Sequence, residues 1–187
     1  MKSRIVRNGL VVLFIAAGCA TSTPTPITSV DVGEPQTWGA AQNVVKLKHL
    51  YFSAQPDERT FLAAKTNGVD VVINLRESDE TDWNEAGAAS DAGIKYYSVP
   101  ISRSGYSFDP KSMSKISAIV QDHHKQNILL HCSSGNRASA WLAVHLTEDH
   151  GLPIDASLAV AKRAGLTNSD VEARVVKFLN EPGSSGQ

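Results

Sequence analysis

The residues most able to do chemistry stand in one row: His131, Cys132, Ser133, Ser134, Gly135, Asn136 and Arg137. They are the parts of a nucleophile and an anion cradle. Before them, Ile128 to His131 is a short apolar run, and after them Ala138, Trp141, Leu142 and His145 repeat at helical spacing, so the order reads strand, loop, helix. Ser133, Ser134, Gly135 and Asn136 carry no bulk that would hold an anion away from the backbone. Their amides are expected to form a nest, the helix beginning near Asn136 adds the positive end of its dipole, and Arg137 supplies a forked donor. A thiol on the floor of such a loop ionises readily, which makes Cys132 a candidate nucleophile. The plainer alternative is a buried structural cysteine.

The rest of the chain supplies elements to position that loop. Leu50 to Ser53, Val69 to Asn74, Ile94 to Val99 and Ile128 to His131 read as strands. Between them, helical patterns begin at Pro56-Asp57, at Asp82 with Glu85 as a capping box, and at Asp109-Pro110 as N-cap and first helical residue. Three further helices follow the loop. They run to about His150, from Pro153 to Ala164, and from a capping box of Ser169 and Glu172. Alternation of strands and helices predicts a single α/β domain with a parallel sheet of about four strands, flanked by helices on both faces. Ligands bind such sheets beyond the carboxyl ends of the strands, which places Gln55, Arg76, Glu77, the Ser102–Ser104 loop and Cys132 on one rim. Residues 30 to 42 give no clear pattern.

The first residues lie outside that domain. Lys2, Arg4 and Arg7 precede an apolar run from Leu10 to Ala17, far short of the ~20 residues of a spanning helix, as in an export signal. AAGCA at Ala16 to Ala20 resembles the lipobox of bacterial lipoproteins, which implies lipidation of Cys19 and a bacterial cell-envelope protein facing the periplasm. The expected organisation is a signal peptide over 1–18, a lipidated N-terminus and tether over 19–42, the domain over 43–180 and a tail over 181–187. Loss of Lys2, Arg4 and Arg7 leaves 15 basic against 19 acidic residues, a net charge of −4, which argues against nucleic acid as a partner. With Cys19 lipidated, Cys132 is left without an intramolecular disulfide partner.

HCSSGNRAS resembles the signature loop of the cysteine-dependent phosphatases. Together with SAQP at Ser53 to Pro56, VINLR at Val72 to Arg76 and AKRAGLT at Ala161 to Thr167, it is most similar to the bacterial beta-lactamase-hydrolase-like, phosphatase-like domains. The resemblance implies a Cys132 nucleophile with Arg137 and the loop residues binding phosphate, and a supporting role for His131, Arg76 and Gln55. It departs in one respect. Tyrosine and dual-specificity phosphatases place five residues between cysteine and arginine, whereas this chain places four, as rhodanese-type sulfurtransferases do.

The general acid is the weak point of a phosphatase reading. The related enzymes carry an aspartate where this chain has Ser102, Arg103 and Ser104. Asp109 is a candidate, though capping is its plainer role, and Glu77, Asp79, Glu80 and Asp82 lie on a loop able to lean over the site. Arg163 and Thr167 are expected to pack under the signature helix. His49, His145 and His150 have no partnered spacing, and no metal or cofactor is expected. Three functions stay open: a phosphatase acting on phosphotyrosine-like or small phosphorylated substrates, a sulfurtransferase cycling through a persulfide, and an inactive anion-binding or interaction domain. Oligomeric state is not legible.

Overall fold

The structure is a computed structural model that describes residues 31–104 and 108–181. The expected leader, Cys19 and the tether up to residue 30 lie outside the described residues, as does the tail from 182. A six-stranded mixed sheet has the order β1-β2-β3-β6-β4-β5. Its strands are β1 (Gln36–Trp38), β2 (Ala41–Leu47), β3 (Leu50–Ser53), β4 (Val69–Asn74), β5 (Lys95–Ser98) and β6 (Asn127–His131). The four expected strands are present as the parallel block β3-β6-β4-β5.

The two extra strands correct the expectation of about four. β1 and β2 form an antiparallel hairpin, and β2 pairs antiparallel with β3. Ordered structure therefore begins well before residue 43, with Trp38 and Ala41 buried. The hairpin escaped a period-two reading because Asn43 takes a positive φ of 54° and Val44 and Val45 are both buried, on opposite faces of the sheet. Its turn is pinned to α1 (Glu58–Thr66). Thr60 donates from its hydroxyl to Trp38 O at 2.6 Å, and Asp57 accepts from the Ala40 amide at 3.2 Å. Gly39 sits at that contact with φ +57°, where a Cβ would come within 2.4 Å of Asp57 Oδ1, so only glycine fits.

Both faces of the sheet are covered, as expected. One face packs Val72 and Leu129 against Phe61 and Ala64 of α1 and Ala89 of α2 (Glu85–Asp91). The other packs Val71, Ile73, Ile128 and Leu130 against α3 (Pro110–Asp122), α4 (Asn136–Glu148), α5 (Ile154–Arg163) and α6 (Ser169–Asn180). Strand alternation sorts the residues: Leu129 and Leu130 go to opposite faces because successive side chains do. Two expected caps are corrected. Asn84, not Asp82, caps α2 by accepting from the Gly87 amide, and Asn168, not Ser169, caps α6 by accepting from Asp170 and Val171. In each case the side-chain amide sits immediately before the first helical residue, the position from which it reaches the free amides of the first turn.

Candidate active site

Strand polarity brings the loop ends together. β3, β4, β5 and β6 are parallel, so Ala54 and Gln55, Leu75 and Arg76, Val99 to Ile101, and Cys132 all leave the same edge. Backbone bonds knit this rim: Leu75 N donates to His131 O at 3.0 Å, Ile101 N to Leu75 O at 3.0 Å, and Gln55 N to Ser133 O at 3.4 Å. The expected convergence of four strands is therefore present.

Cys132 lies at the floor of the rim with 1% of its surface exposed, while Ser133 and Ser134 above it are exposed. The loop turns back on the sulfur, and the Gly135 amide donates to Cys132 Sγ at 3.1 Å. Gly135 is the N-cap of α4 with φ +88°. A positive φ at this point lets the loop double back into the helix, which a larger residue resists. The first amides of α4 have no carbonyl one turn back to receive them, so they are available to an anion at the mouth.

Asn136 fastens the loop from outside. Its Oδ1 accepts from the Thr167 and Asn168 amides, both at 2.8 Å, and its Nδ2 donates to Ser134 Oγ at 3.1 Å. Beneath it, Ser139 donates to Ala164 O at 2.8 Å, so the segment from Ala161 to Thr167 packs under α4 as expected. Arg163 itself reaches away, donating to Val32 O at 3.2 Å. A hollow of about 470 Å³ opens beside Ser134 and Gly135, between the β1–β2 hairpin and Lys162 of α5.

The forked donor is not free, which corrects the simplest reading of Arg137. Arg137 is 1% exposed and its two terminal guanidinium nitrogens grip the Glu80 carboxylate at 2.5 and 2.6 Å. Nη1 also donates to Ile101 O at 2.9 Å and Leu75 O at 3.3 Å, and Nη2 to Ser133 Oγ at 3.3 Å. Burial opposes the charge on Arg137, but Glu80 and then Cys132 outweigh it and raise its pKa. Burial likewise works against ionised Glu80, yet the Arg137 hydrogen bonds, the backbone and the nearby Arg76 hold it at about 2. Glu80 is thus ionised at neutral pH and is no proton donor. It is the one acid of the Glu77–Asp82 loop that leans into the site.

Arg76 and Gln55 join a second buried network. Arg76 bonds to Gln55 Oε1 and to the Glu80 carbonyl, with its Nε 3.5 Å from Glu80 Oε2. Gln55 Nε2 donates to Glu85 Oε2 at 2.8 Å, and Glu85 Oε1 lies 2.7 Å from Nε2 of fully buried His131. Burial alone would raise the pKa of Glu85, but His131, Gln55 and Arg76 lower it below the ordinary carboxylate value. Sequence reading missed Glu85 as a site-supporting residue because its spacing from Asp82 imitates a capping box. No local signal announces the true role. His131 follows Leu129 on the α2 face of β6, and only the folded sheet shows that Glu85 waits there.

Asp109 is placed as a cap. It is exposed and accepts from the Ser112 amide at 2.9 Å, with Pro110 in the first turn of α3. Burial would raise its pKa, but these hydrogen bonds lower it. The Arg103 amide donates to Glu77 Oε2 at 2.9 Å, which ties the Ser102–Ser104 loop to the loop after β4.

The fold that carries this loop is phosphatase-like. No protein-family model matches the sequence, and no curated protein does. Solved structures match in shape. A cysteine-to-serine variant of Pseudomonas aeruginosa TpbA in complex with phosphotyrosine aligns with 80% of this chain and 92% of its own, at TM-score 0.62 and 18% identity. A DUF442 protein from Shewanella putrefaciens CN-32 aligns over 75% and 91%, at TM-score 0.57 and 23% identity. The kinase associated phosphatase KAP, with its catalytic-site cysteine replaced by serine, aligns over 69% and 84%, at TM-score 0.61 and 15% identity.

Proposed function

We propose that this chain is a cysteine-dependent phosphatase of the beta-lactamase-hydrolase-like, phosphatase-like kind. The observation that supports it is Cys132 beneath an exposed loop whose Gly135 amide meets the sulfur, beside an arginine locked in place by Glu80. In the first step the Cys132 thiolate attacks phosphorus, the S–P bond forms, and the P–O bond breaks to release an alkoxide or phenoxide. In the second, water attacks the phosphocysteine, the S–P bond breaks, and phosphate leaves with the thiolate restored. The loop amides and the start of α4 hold the equatorial oxygens through both steps. Asp109 and Glu80 are both engaged and ionised, so leaving groups that need little protonation are favoured, and aryl phosphates of the phosphotyrosine type fit best.

A second reading is sulfur transfer, supported by the four-residue loop and by the engagement of those same acids. There the thiolate attacks the outer sulfur of thiosulfate, the Cys132 S–S bond forms, and sulfite departs with the electron pair. Intact-mass spectrometry after incubation with an aryl phosphate or with thiosulfate distinguishes them. A phosphoryl adduct on Cys132 is expected. One added sulfur with no phosphoryl adduct would transfer the assignment to sulfur transfer, and neither adduct with no turnover would leave only anion binding.

Tethering by lipid at Cys19 in a bacterial envelope, facing the periplasm, completes the proposal and is supported by the lipobox-like sequence. Among the described residues no helix is long and apolar enough to cross a membrane. Cys19→Ala is expected to move the protein from the detergent phase to the aqueous phase, and retention in detergent would refute the anchor.

A further inference from the structure

The rim opposite Cys132 gathers histidines that the sequence leaves scattered. His49 ends the turn between β2 and β3, His124 follows α3, and His145 and His150 flank the end of α4. These are four of the six histidines in the chain. Two adjoining hollows of about 250 and 420 Å³ are both lined by His49, His145 and His150, and the larger also by His124 and Asp149. α4 runs from the loop down to this edge, rising ~12 Å over the eight residues from Arg137 to His145, so the cluster lies at the other end of that helix from the Cys132 loop.

Two imidazole nitrogens already converge. His145 Nε2 and His150 Nε2 are 3.2 Å apart. Two bonds of ~2.0–2.1 Å to one tetrahedral ion span roughly 3.3 Å, so the pair stands at the separation of two ligands of a single zinc. The tautomer is fixed by what lies behind. His145 Nδ1 is 2.5 Å from Asp149 Oδ2, which also accepts from Ser117 at 3.0 Å; a carboxylate only accepts, so Nδ1 carries a proton, and in the neutral ring Nε2 presents its lone pair. His124 is set in the same way, its Nδ1 donating to Gln121 O at 2.9 Å. The third ring adds an independent observation: His49 Nε2 is enclosed without a hydrogen-bond partner.

We propose that His145 and His150 form a binding site for a divalent transition ion of the zinc class, with His49 as the third ligand and water or His124 completing it. Among the described residues no three donors are yet gathered as a metal group, so the site is a preformed pair that the third ring closes on metal binding. Bound metal would clip the β2–β3 turn to the end of α4, on the edge away from the chemistry.

The test is zinc titration of untagged protein carrying Cys132→Ser, which removes the thiolate as a rival ligand, in competition with a chromophoric chelator. One saturable equivalent is expected, with a rise in Tm, because an ion that binds only the folded state stabilises it. His150→Gln, at an exposed position, is expected to weaken binding by more than ~10-fold, and Asp149→Asn by about 10-fold through loss of the hydrogen bond that orients His145. Cobalt in place of zinc should give a visible spectrum that His49→Gln alters. Absence of saturable uptake, or uptake unchanged in His150→Gln, would overturn the proposal and leave an ordinary hydrogen bond between two histidines.

Discussion

Glu80→Gln keeps the shape of the side chain and removes the charge that holds Arg137. In the folded protein Glu80 lies at about 2 against an ordinary 4.5, a difference of about 2.5 units. At 1.36 kcal/mol per unit that corresponds to ~3.4 kcal/mol between the ionised and neutral forms. Its side chain is 6% exposed, on a loop at the molecular surface, so solvent screening reduces the effect, and Gln retains one acceptor; a loss of roughly 2–3 kcal/mol at pH 7 is the expected result. For a chain of this size that is a fall in Tm of about 5–10 °C. The sign of the pH dependence follows from a depressed carboxylate. Its contribution is fully present above pH 4.5, declines as pH falls, and is lost through about pH 2, so parent and variant should converge in acid. Arg137 freed from Glu80 keeps its bonds to Leu75 and Ile101 but loses its orientation, and turnover of an aryl phosphate should fall on the order of 10²-fold. Thermal unfolding across pH together with kcat and KM would measure both. Equal stability at pH 7 would refute the energetic argument. Unchanged or tighter binding of inorganic phosphate with unimpaired turnover would show that Glu80 obstructs the cradle instead of positioning its arginine.

Other substitutions test the remaining parts. Cys132→Ser is expected to abolish turnover, since a hydroxyl has no comparable route to ionisation at neutral pH; Arg137→Lys should also be damaging because an ammonium cannot reproduce the bidentate grip. Wild-type rates in both would leave the loop a binding site only. Asp109→Asn should change little, because asparagine caps as well as aspartate, whereas a loss of 10²–10⁴-fold confined to poor leaving groups would make Asp109 the general acid. Glu85→Gln should destabilise the fold by about 1–3 kcal/mol by breaking its contact with buried His131, and the loss should shrink as pH falls below the ordinary carboxylate range, where the parent also loses this charge; pH-dependent denaturant unfolding checks it.

The sequence by itself determined four strands of a parallel sheet, though not their order, the strand-loop-helix at Cys132 and the Asp109-Pro110 start of α3. Each is written locally, in apolar runs, in small residues between a cysteine and an arginine, or in a cap followed by proline. Topology then placed Gln55, Arg76 and Cys132 on one rim without any need for coordinates, because parallel strands share a carboxyl edge. The β1–β2 hairpin was hidden where a positive φ at Asn43 breaks the period of two. Only tertiary structure decided which acid meets which base. Glu80 and Glu85 lie close in sequence to Glu77, Asp79 and Asp82, and neither spacing nor composition separates the carboxylate that grips Arg137 or the one that meets His131 from the other three. Ion pairs form across the gap between elements, and that gap is fixed when two layers close on the sheet. The histidines of the opposite rim obey the same reason: His49 and His145 are far apart in the chain, and only the pairing of β3 with β6 and the packing of α4 beneath them bring the two rings to one cavity.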